Sequence, residues 1–483
     1  EDFRIYWDNA YGIHHLYEDK QDKILNILEE CKKAGNPNMV YIFCSTSKIS
    51  FPGSGVSAVA SSVENIEYIM SHMTVQTIGH DKINQLRHAR FFKDIDGLNE
   101  HMKKHAEVLR PKFAAVLNTL EAELTGLEIG SWVNPRGGYF VSFNAMPGCA
   151  KAIVKMCKDL GVVMTGAGAT FPLPFYNVVF ELFSQVNGDA VAYGGIGSGG
   201  GVRNLRDKIV DFAGSDAFLS EKEMAEMDPV IHVPTCMGAV VLAYNLDGVN
   251  QLNLSGEVIA DIFAGEIKMW NDPRLVSLNP DVKLPEEAII PVFRSDGSGT
   301  TFVFTDYLTK VSSNWASKFG AGKSVNFPSG QAAKGNPGVA GVIYQTKNSI
   351  GYVGSEYAFA QKIPYASIMN QRGELVEPTA ESISAAASGV IPADTRTSIT
   401  NADAAGAYPI ATFTWMIIYK EQNYSDRSKE QATATLNLLQ YILSDEAQNI
   451  TSEVHYAPLP AQAKELSIKN LKTVTYDGMP ILQ

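Results

Sequence analysis

Met164-Thr165-Gly166-Ala167-Gly168-Ala169-Thr170-Phe171-Pro172 is the stretch on which the fold of this chain turns. Before it the sequence reads as one kind of α/β protein, and after it as another. The formal charge is −1 up to Met164 and −11 beyond it, making the total of −12. Four of the five Cys (Cys31, Cys44, Cys149, Cys157) and seven of the nine His lie before the stretch. Scattered unpaired Cys suit a reducing compartment. A long acidic stretch holding Cys236 alone suits an oxidising or extracytoplasmic one, where lone thiols are hazards. Together these asymmetries imply two origins. At 483 residues, 45% of them apolar and 19% charged, the chain has the composition of two or three folded domains. No run approaches eighteen apolar residues, so no transmembrane segment is predicted. There is no basic stripe, which argues against a nucleic-acid partner. The chain opens at Glu1-Asp2-Phe3 without an initiator Met or a basic-then-apolar leader, so the chain as given is expected to lack an export signal.

Downstream, an amphipathic helix is predicted to about Gln185, with Phe175, Val178, Val179, Leu182 and Phe183 at helical spacing. A strand at 189–193 leads into Gly194-Gly195-Ile196-Gly197-Ser198-Gly199-Gly200-Gly201 and a helix through Val202, Leu205 and Ile209. Further on, a strand at 289–293 ends in Arg294-Ser295-Asp296-Gly297-Ser298-Gly299-Thr300, before a helix predicted from about Thr301 to Val311. The same device thus appears three times: a segment rich in Gly, Ser and Thr that opens a helix. Free N–H groups and about half a positive charge at each helix start make it an anion socket. If three such starts converge with Arg294, they form a buried oxyanion site that needs no metal.

Other readings of these residues compete. Gly195-x-Gly197-x-x-Gly200 matches a dinucleotide fingerprint, with Asp216 about twenty residues on, but a dinucleotide would not need the other two sockets. Gly320-Ala321-Gly322-Lys323-Ser324 looks like the end of a P-loop, yet Ser317 stands where the first Gly belongs, so a loop is expected. Asp296 is either a solvated turn residue or a salt link that orients Arg294.

The runs Thr165–Pro172, Gly197–Gly200, Val210–Asp216, Trp270–Pro273 and Ser295–Thr301 together resemble the phosphate-binding protein of bacterial ABC-type phosphate importers, along essentially all of 165–483. The resemblance implies a two-lobed, hinged α/β periplasmic-binding-protein fold, with lobes at 165–240 plus 410–483 and at 241–409. It also implies a periplasmic or extracytoplasmic location, permease subunits as partners and no cofactor. The ligand set it implies is Thr170, Phe171 (backbone N–H), Ser198, Asp216, Arg294, Ser298, Gly299 and Thr300. A carboxylate facing an anion is then a selector. Asp216 can accept the proton that phosphate still carries, whereas fully ionised sulfate has none to give.

Upstream, strands at 3–7 and 39–43, a helix at about 19–34 with Ile24, Leu25, Leu28 and Cys31 on one face, a long helix at roughly 94–124 and a strand at 139–143 predict another α/β domain. The sequence places Ser45-x-Ser47-Lys48 just after a strand, where a lysine can form a Schiff base while hydroxyls hold a phosphate. With Asp8-x-x-Tyr11 before it and Asn134-Pro135-Arg136-Gly137-Gly138 after it, the segment 1–172 resembles the C-terminal part of a fold-type I pyridoxal-phosphate aminotransferase, aspartate-aminotransferase-like. The resemblance implies that Asp8 would pair with the pyridine nitrogen and Tyr11 with the ring hydroxyl. Ser45 would hold phosphate, Lys48 would form the Schiff base and Arg136 would clamp the substrate carboxylate, with pyridoxal 5′-phosphate as cofactor. Val56 stands where many such enzymes have a phosphate-binding Arg. The N-terminal half of the large domain does not precede Glu1, so no transamination is expected from this truncated fragment by itself.

The chain therefore reads as a chimera, with phosphate reception as its leading function. The alternatives are a bifunctional protein with pyridoxal-phosphate activity and a receptor for another tetrahedral oxyanion. Aminotransferases also pass through a Gly-Ala-Thr-Phe-Pro-like turn, after a helix and strand like those at 152–163. Two genes sharing that run could be joined there by recombination or in sequence assembly. The abrupt start favours assembly.

Overall fold

The computed structural model describes residues 3–50, 55–150, 152–153, 164–425 and 427–482. It comprises two units, Glu1–Ile153 and Val154–Gln483. The helix and strand expected at 152–163 lie outside the described residues, apart from 152 and 153. Among the described residues no helix is long and apolar enough to cross a membrane.

In the first unit, Ile5–Asp8 runs parallel to Val40–Ser45, which pairs antiparallel with Ser57–Ala60. The long helix Ile95–Leu124 is present as expected, capped by Asp94 and continuous through Pro111. The helix read at 19–34 is confined to Ile27–Lys33. Asn26 accepts the N–H groups of Leu28 and Glu29 and starts the helix there. Ile24 and Leu25, which suggested an earlier start, are exposed and have no face to pack on. The strand read at 139–143 is instead Phe143–Ala145, paired with Gly130–Trp132. Tyr139 is drawn off the ladder to pack tilted against Tyr11 and edge-on to His14, at ring separations of 5.4 and 5.1 Å. Among the described residues of this unit, buried apolar side chains are few: Leu16, Cys31, Val40, Ile49, Met102, Ala106 and Phe113. Tyr6, Leu25, Val63, Ile78 and Phe140 are among those left exposed.

The second unit is organised on an eight-stranded sheet in the order Gln331–Ala333, Ile290–Arg294, Ser349–Gly354, Val230–Asn245, Ala411–Tyr419, Phe212–Ser215, Met164–Gly168, Val191–Gly195. At one end, Met164–Gly168 lies parallel between Val191–Gly195 and Phe212–Ser215. At the other, Ile290–Arg294 lies parallel between Gln331–Ala333 and Ser349–Gly354. The two parallel sets are joined through the 16-residue strand Val230–Asn245. Its residues up to Ala239 pair with Ala411–Tyr419, and from Val240 onward they pair with Ser349–Gly354. One strand thus serves both parallel sets, its pairing changing partner at Ala239/Val240. This is a hinged two-lobed α/β fold. Between Thr414 and Trp415 the register slips, because Thr414 faces Cys236 and Trp415 faces Pro234. The extra residue is Thr235, beside a proline that has no N–H to give the ladder. Its hydroxyl donates to the Thr414 carbonyl at 3.1 Å.

Packing follows the apolar pattern. Helix Leu173–Asn187 buries Phe175, Tyr176, Val179, Phe180 and Phe183 on one face and ends at Gly188, whose φ of +79° suits a left-handed cap. Helix Ser198–Arg206 buries Leu205 but stops short of Ile209, which is exposed.

Candidate functional site

Parallel strands end on one side of each lobe, and the loops beyond those ends carry the polar residues. Among the helices that start there are Leu173–Asn187 and Ser198–Arg206 from the first lobe, and Gly299–Val311 and Gly335–Gln345 from the second. Three of these starts were expected. The fourth, opened by Lys334-Gly335-Asn336-Pro337, was missed, although a Gly-Asn-Pro turn before an apolar helix was a readable signal.

All eight residues of the expected set lie at these loop ends, and the side-chain members are buried. Ser198 Oγ accepts the N–H of Gly299 across the cleft at 3.1 Å and that of Asp216 at 3.4 Å. Ser298 caps Gly299–Val311 by accepting the Thr301 N–H at 3.0 Å. Both serine hydroxyls are therefore left with a hydrogen to give. Thr170 Oγ1 accepts from the backbone N–H and Nδ2 of Asn336 at 3.0 and 3.1 Å. Phe171 is fully buried, its carbonyl held by Tyr456 and its ring edge-on to the tyrosine ring.

Close approach of the lobes requires glycine. Gly197 has φ +87°, and a Cβ there would lie 2.3 Å from the Asp296 carboxylate. At Gly299 a Cβ would lie 2.5 Å from Ser198 Oγ. Further bonds across the cleft join Gly199 N–H to the Gly297 carbonyl (2.9 Å), Tyr357 Oη to the Thr170 carbonyl (2.5 Å) and Lys323 to Glu223 (2.6 Å).

Arg294 supplies the cluster's full positive charge. Its Nε and Nη2 donate to the two oxygens of Asp296 at 2.7 and 2.5 Å, and its side chain is 1% exposed. Of the two readings of Asp296, the salt link is the one observed. Burial alone would raise the Asp296 carboxyl, but the Arg294 fork and the Gly335 N–H outweigh it and hold it below its ordinary value. Arg294 Nη1 turns the other way, to Thr300 Oγ1 at 3.5 Å.

Asp216 is 2% exposed. Burial pushes its carboxyl up to about 7 against the opposing pull of the Thr414 hydrogen bond, Arg294 and Thr300. Oδ1 accepts from Thr414 Oγ1 at 2.8 Å, and Oδ2 from Thr300 Oγ1 at 3.4 Å. Thr414 belongs to the returning hinge strand at the register slip, a placement no local motif announced. Glu356, in the first turn of helix Ser355–Ala360 just beyond strand Ser349–Gly354, is also buried. Burial and the Asp216 charge hold it far above the usual carboxylate range. The cleft is thus lined by hydroxyl, amide and guanidinium donors around one principal acceptor, Asp216.

The first unit places its expected residues differently. Asp8 and Ser45 end adjacent parallel strands, but Asp8 is exposed and accepts its own Ala10 N–H, while Ser45 accepts from Ser47. Lys48 is exposed, and Arg136 is exposed with its guanidinium against Asp22 at 3.3 Å. Tyr11 packs on His14, Tyr139 and Phe140. These residues do not form an enclosed cradle for pyridoxal phosphate.

Residues 1–175 match the aspartate amino-transferase family and residues 158–446 the PBP superfamily domain, so the two matches overlap across 158–175. Phosphate-binding protein PstS of Haemophilus influenzae is 40% identical over 312 residues, covering 62% of this chain and 89% of that protein. Aspartate aminotransferase of Corynebacterium glutamicum is 42% identical over 172 residues, covering 36% of this chain and 40% of that enzyme. The chain therefore spans well under half the length of the aminotransferases it matches. In fold, it is similar to a high affinity periplasmic phosphate-binding protein (PfluDING) bound with phosphate at pH 8.5, at a TM-score of 0.50 and 22% identity over 62% of this chain and 92% of that one. The resemblance to two families is thus found in the sequence, and that to phosphate-binding proteins in the fold as well. With the hinged sheet and the donor-lined cleft in its larger unit, this chain belongs to the PBP superfamily and, within it, to the PstS family of phosphate-binding proteins.

Proposed function

We propose that the second unit is the receptor for inorganic phosphate of an ABC import system, acting outside the cytoplasm and handing its ligand to permease subunits. The observation that carries this reading is the buried cleft of donors around Asp216. The lobes are taken as 165–240 with 410–483, and 241–409. The ligands are taken as the hydroxyls of Thr170, Ser198, Ser298 and Thr300, the N–H groups of Phe171 and Gly299, the Arg294 guanidinium and the Asp216 carboxylate. The donors match the oxygens of a tetrahedral anion, and Asp216 takes the remaining proton of phosphate. A hydrogen bond to a charged partner contributes about 1.5–3 kcal/mol, so several together support tight binding. Closure excludes water and strengthens each bond. Calorimetric titration of the whole chain with phosphate and then sulfate tests the reading. Phosphate binding that sulfate does not displace supports it, and equal affinities refute it.

The first unit is taken as catalytically inactive. Of its cofactor residues Asp8, Lys48 and Arg136 are exposed and Tyr11 and Ser45 only half-buried, and aminotransferases of matching sequence are more than twice as long. Titration with pyridoxal 5′-phosphate tests this: a Schiff-base absorbance band lost in Lys48→Ala would refute it.

A further inference from the structure

Asn336 is fully buried and lies outside the ligand set implied by the resemblance, yet it touches that set twice. It follows Gly335, whose φ of +70° turns the chain into helix Gly335–Gln345 and whose N–H is held by Asp296 Oδ1 at 3.0 Å. The carboxylate that orients Arg294 therefore also anchors the backbone carrying Asn336. The amide orientation is fixed by chemistry. The Gly354 N–H lies 3.1 Å from one terminal atom of the side chain, and a backbone N–H can only donate, so that atom is Oδ1. The NH2 group then faces Thr170 Oγ1 and Thr300 Oγ1, each at 3.1 Å, one in each lobe.

This has a consequence for the hydroxyls. Thr170 Oγ1 already accepts the Asn336 backbone N–H at 3.0 Å, so the amide occupies its second lone pair. Thr300 Oγ1 receives Arg294 Nη1 at 3.5 Å, and the amide again occupies the other lone pair. With their lone pairs filled, both hydroxyls can only donate; in this structure Thr300 gives its hydrogen to Asp216 Oδ2 at 3.4 Å, a long contact that a phosphate oxygen would replace. We propose that Asn336 is a specificity-determining positioning residue, polarising Thr170 and Thr300 so that the cleft offers their hydrogens, and not their lone pairs, to a deprotonated anionic oxygen. The proposal rests on the phosphate reading. It goes further in assigning a preference for the dianion over the monoanion to a residue that touches neither.

The test is phosphate affinity of the full chain, wild type, Asn336→Ala and Asn336→Asp, measured well below and well above the second ionisation of phosphate. In Asn336→Ala the freed lone pairs can accept from the monoanion. Affinity is therefore expected to fall at least tenfold at the higher pH and by a clearly smaller factor at the lower. Asp216, Arg294, Asp296, Glu356, Tyr352 and Tyr357 remain in both proteins, and the ratio of variant to wild type removes their common titration. A purely structural role predicts the same ratio at both pH values, and that result overturns the proposal. Asn336→Asp keeps the acceptor for Gly354 but removes the donors, so both threonines turn their hydrogens to the new carboxylate. A loss exceeding a hundredfold is expected at the higher pH, and affinity within threefold of wild type overturns the proposal even if Asn336→Ala fails to fold. Wild-type protein that does not bind phosphate would instead refute the functional reading.

Discussion

Replacing Asp216 by Asn tests the selector directly. In the wild-type cleft, Oδ1 is committed to the Thr414 hydroxyl at 2.8 Å, while Oδ2 has only the long contact to Thr300 at 3.4 Å. An asparagine can keep its carbonyl oxygen on Thr414 and turn its NH2 group toward the cleft, which also frees the Thr300 hydrogen for the anion. A sulfate oxygen that met an acceptor then meets a donor. Relieving a buried, unpaired acceptor contributes about 1–3 kcal/mol, or roughly 5- to 150-fold in affinity, before any loss of charge repulsion. Sulfate binding to Asp216→Asn is expected to tighten by at least that factor, while phosphate loses the acceptor for its proton and binds more weakly. A second signature follows from the carboxyl that burial has raised to about 7. Sulfate requires the protonated acid, so above that value wild-type sulfate affinity should fall by roughly tenfold per pH unit. In the Asn variant it should be flat. Calorimetry with each anion across this range measures both effects. An unchanged phosphate-over-sulfate preference, or the same pH slope in both proteins, refutes the assignment.

Other perturbations have equally definite outcomes. Arg294→Ala removes the partner of a half-buried carboxylate as well as the site's cation. It is expected to cost about 3–5 kcal/mol in stability and to abolish measurable phosphate binding, and Asp296→Asn in the same chain should restore part of the stability but none of the binding. Chemical denaturation and calorimetry separate the two. Asp216 also gives the fold a pH dependence. Between its ordinary value of 3.8 and the raised value of about 7, the folded state keeps a proton that the unfolded chain has lost. Stability therefore falls by up to roughly 4 kcal/mol as pH rises through that window and is level above it. Urea melts should show this fall, and Asp216→Asn should remove it. Lys323→Ala breaks a bond across the cleft to a Glu223 side chain that is 36% exposed, so screening limits the loss to at most about 1 kcal/mol. Phosphate affinity should weaken no more than about fivefold, and by less at high salt.

The cleft was legible in the sequence where chemistry was written locally. Gly197-Ser198-Gly199-Gly200 and Ser298-Gly299-Thr300 each combine small residues, hydroxyls and a helix start within a few positions, and the structure brings them within bonding distance. Thr414 was invisible because its position depends on a register slip beside Pro234, a relation between strands about 180 residues apart. Asn336 was hidden for a different reason. Its role lies in which atoms of its amide face which neighbours, and spacing carries no such information. Upstream, the apolar periodicity around Ile24 and Leu25 promised a helix turn that the structure lacks. Without an opposing layer, a periodic pattern has no face to bury, and the Asn26 cap decides the start.

The strand Val230–Asn245 has a thermodynamic meaning beyond hinging. Nine of its residues pair into one lobe's sheet and six into the other's, with Thr235 as the unpaired extra, so neither sheet can lose this strand without exposing the neighbour's backbone donors and apolar face. The two lobes are therefore mechanically separable, since they can rotate, but not independently meltable. Hydrogen exchange along this strand should report one common free energy on both sides of Ala239/Val240, a single cooperative unit inside a molecule built to move in two parts.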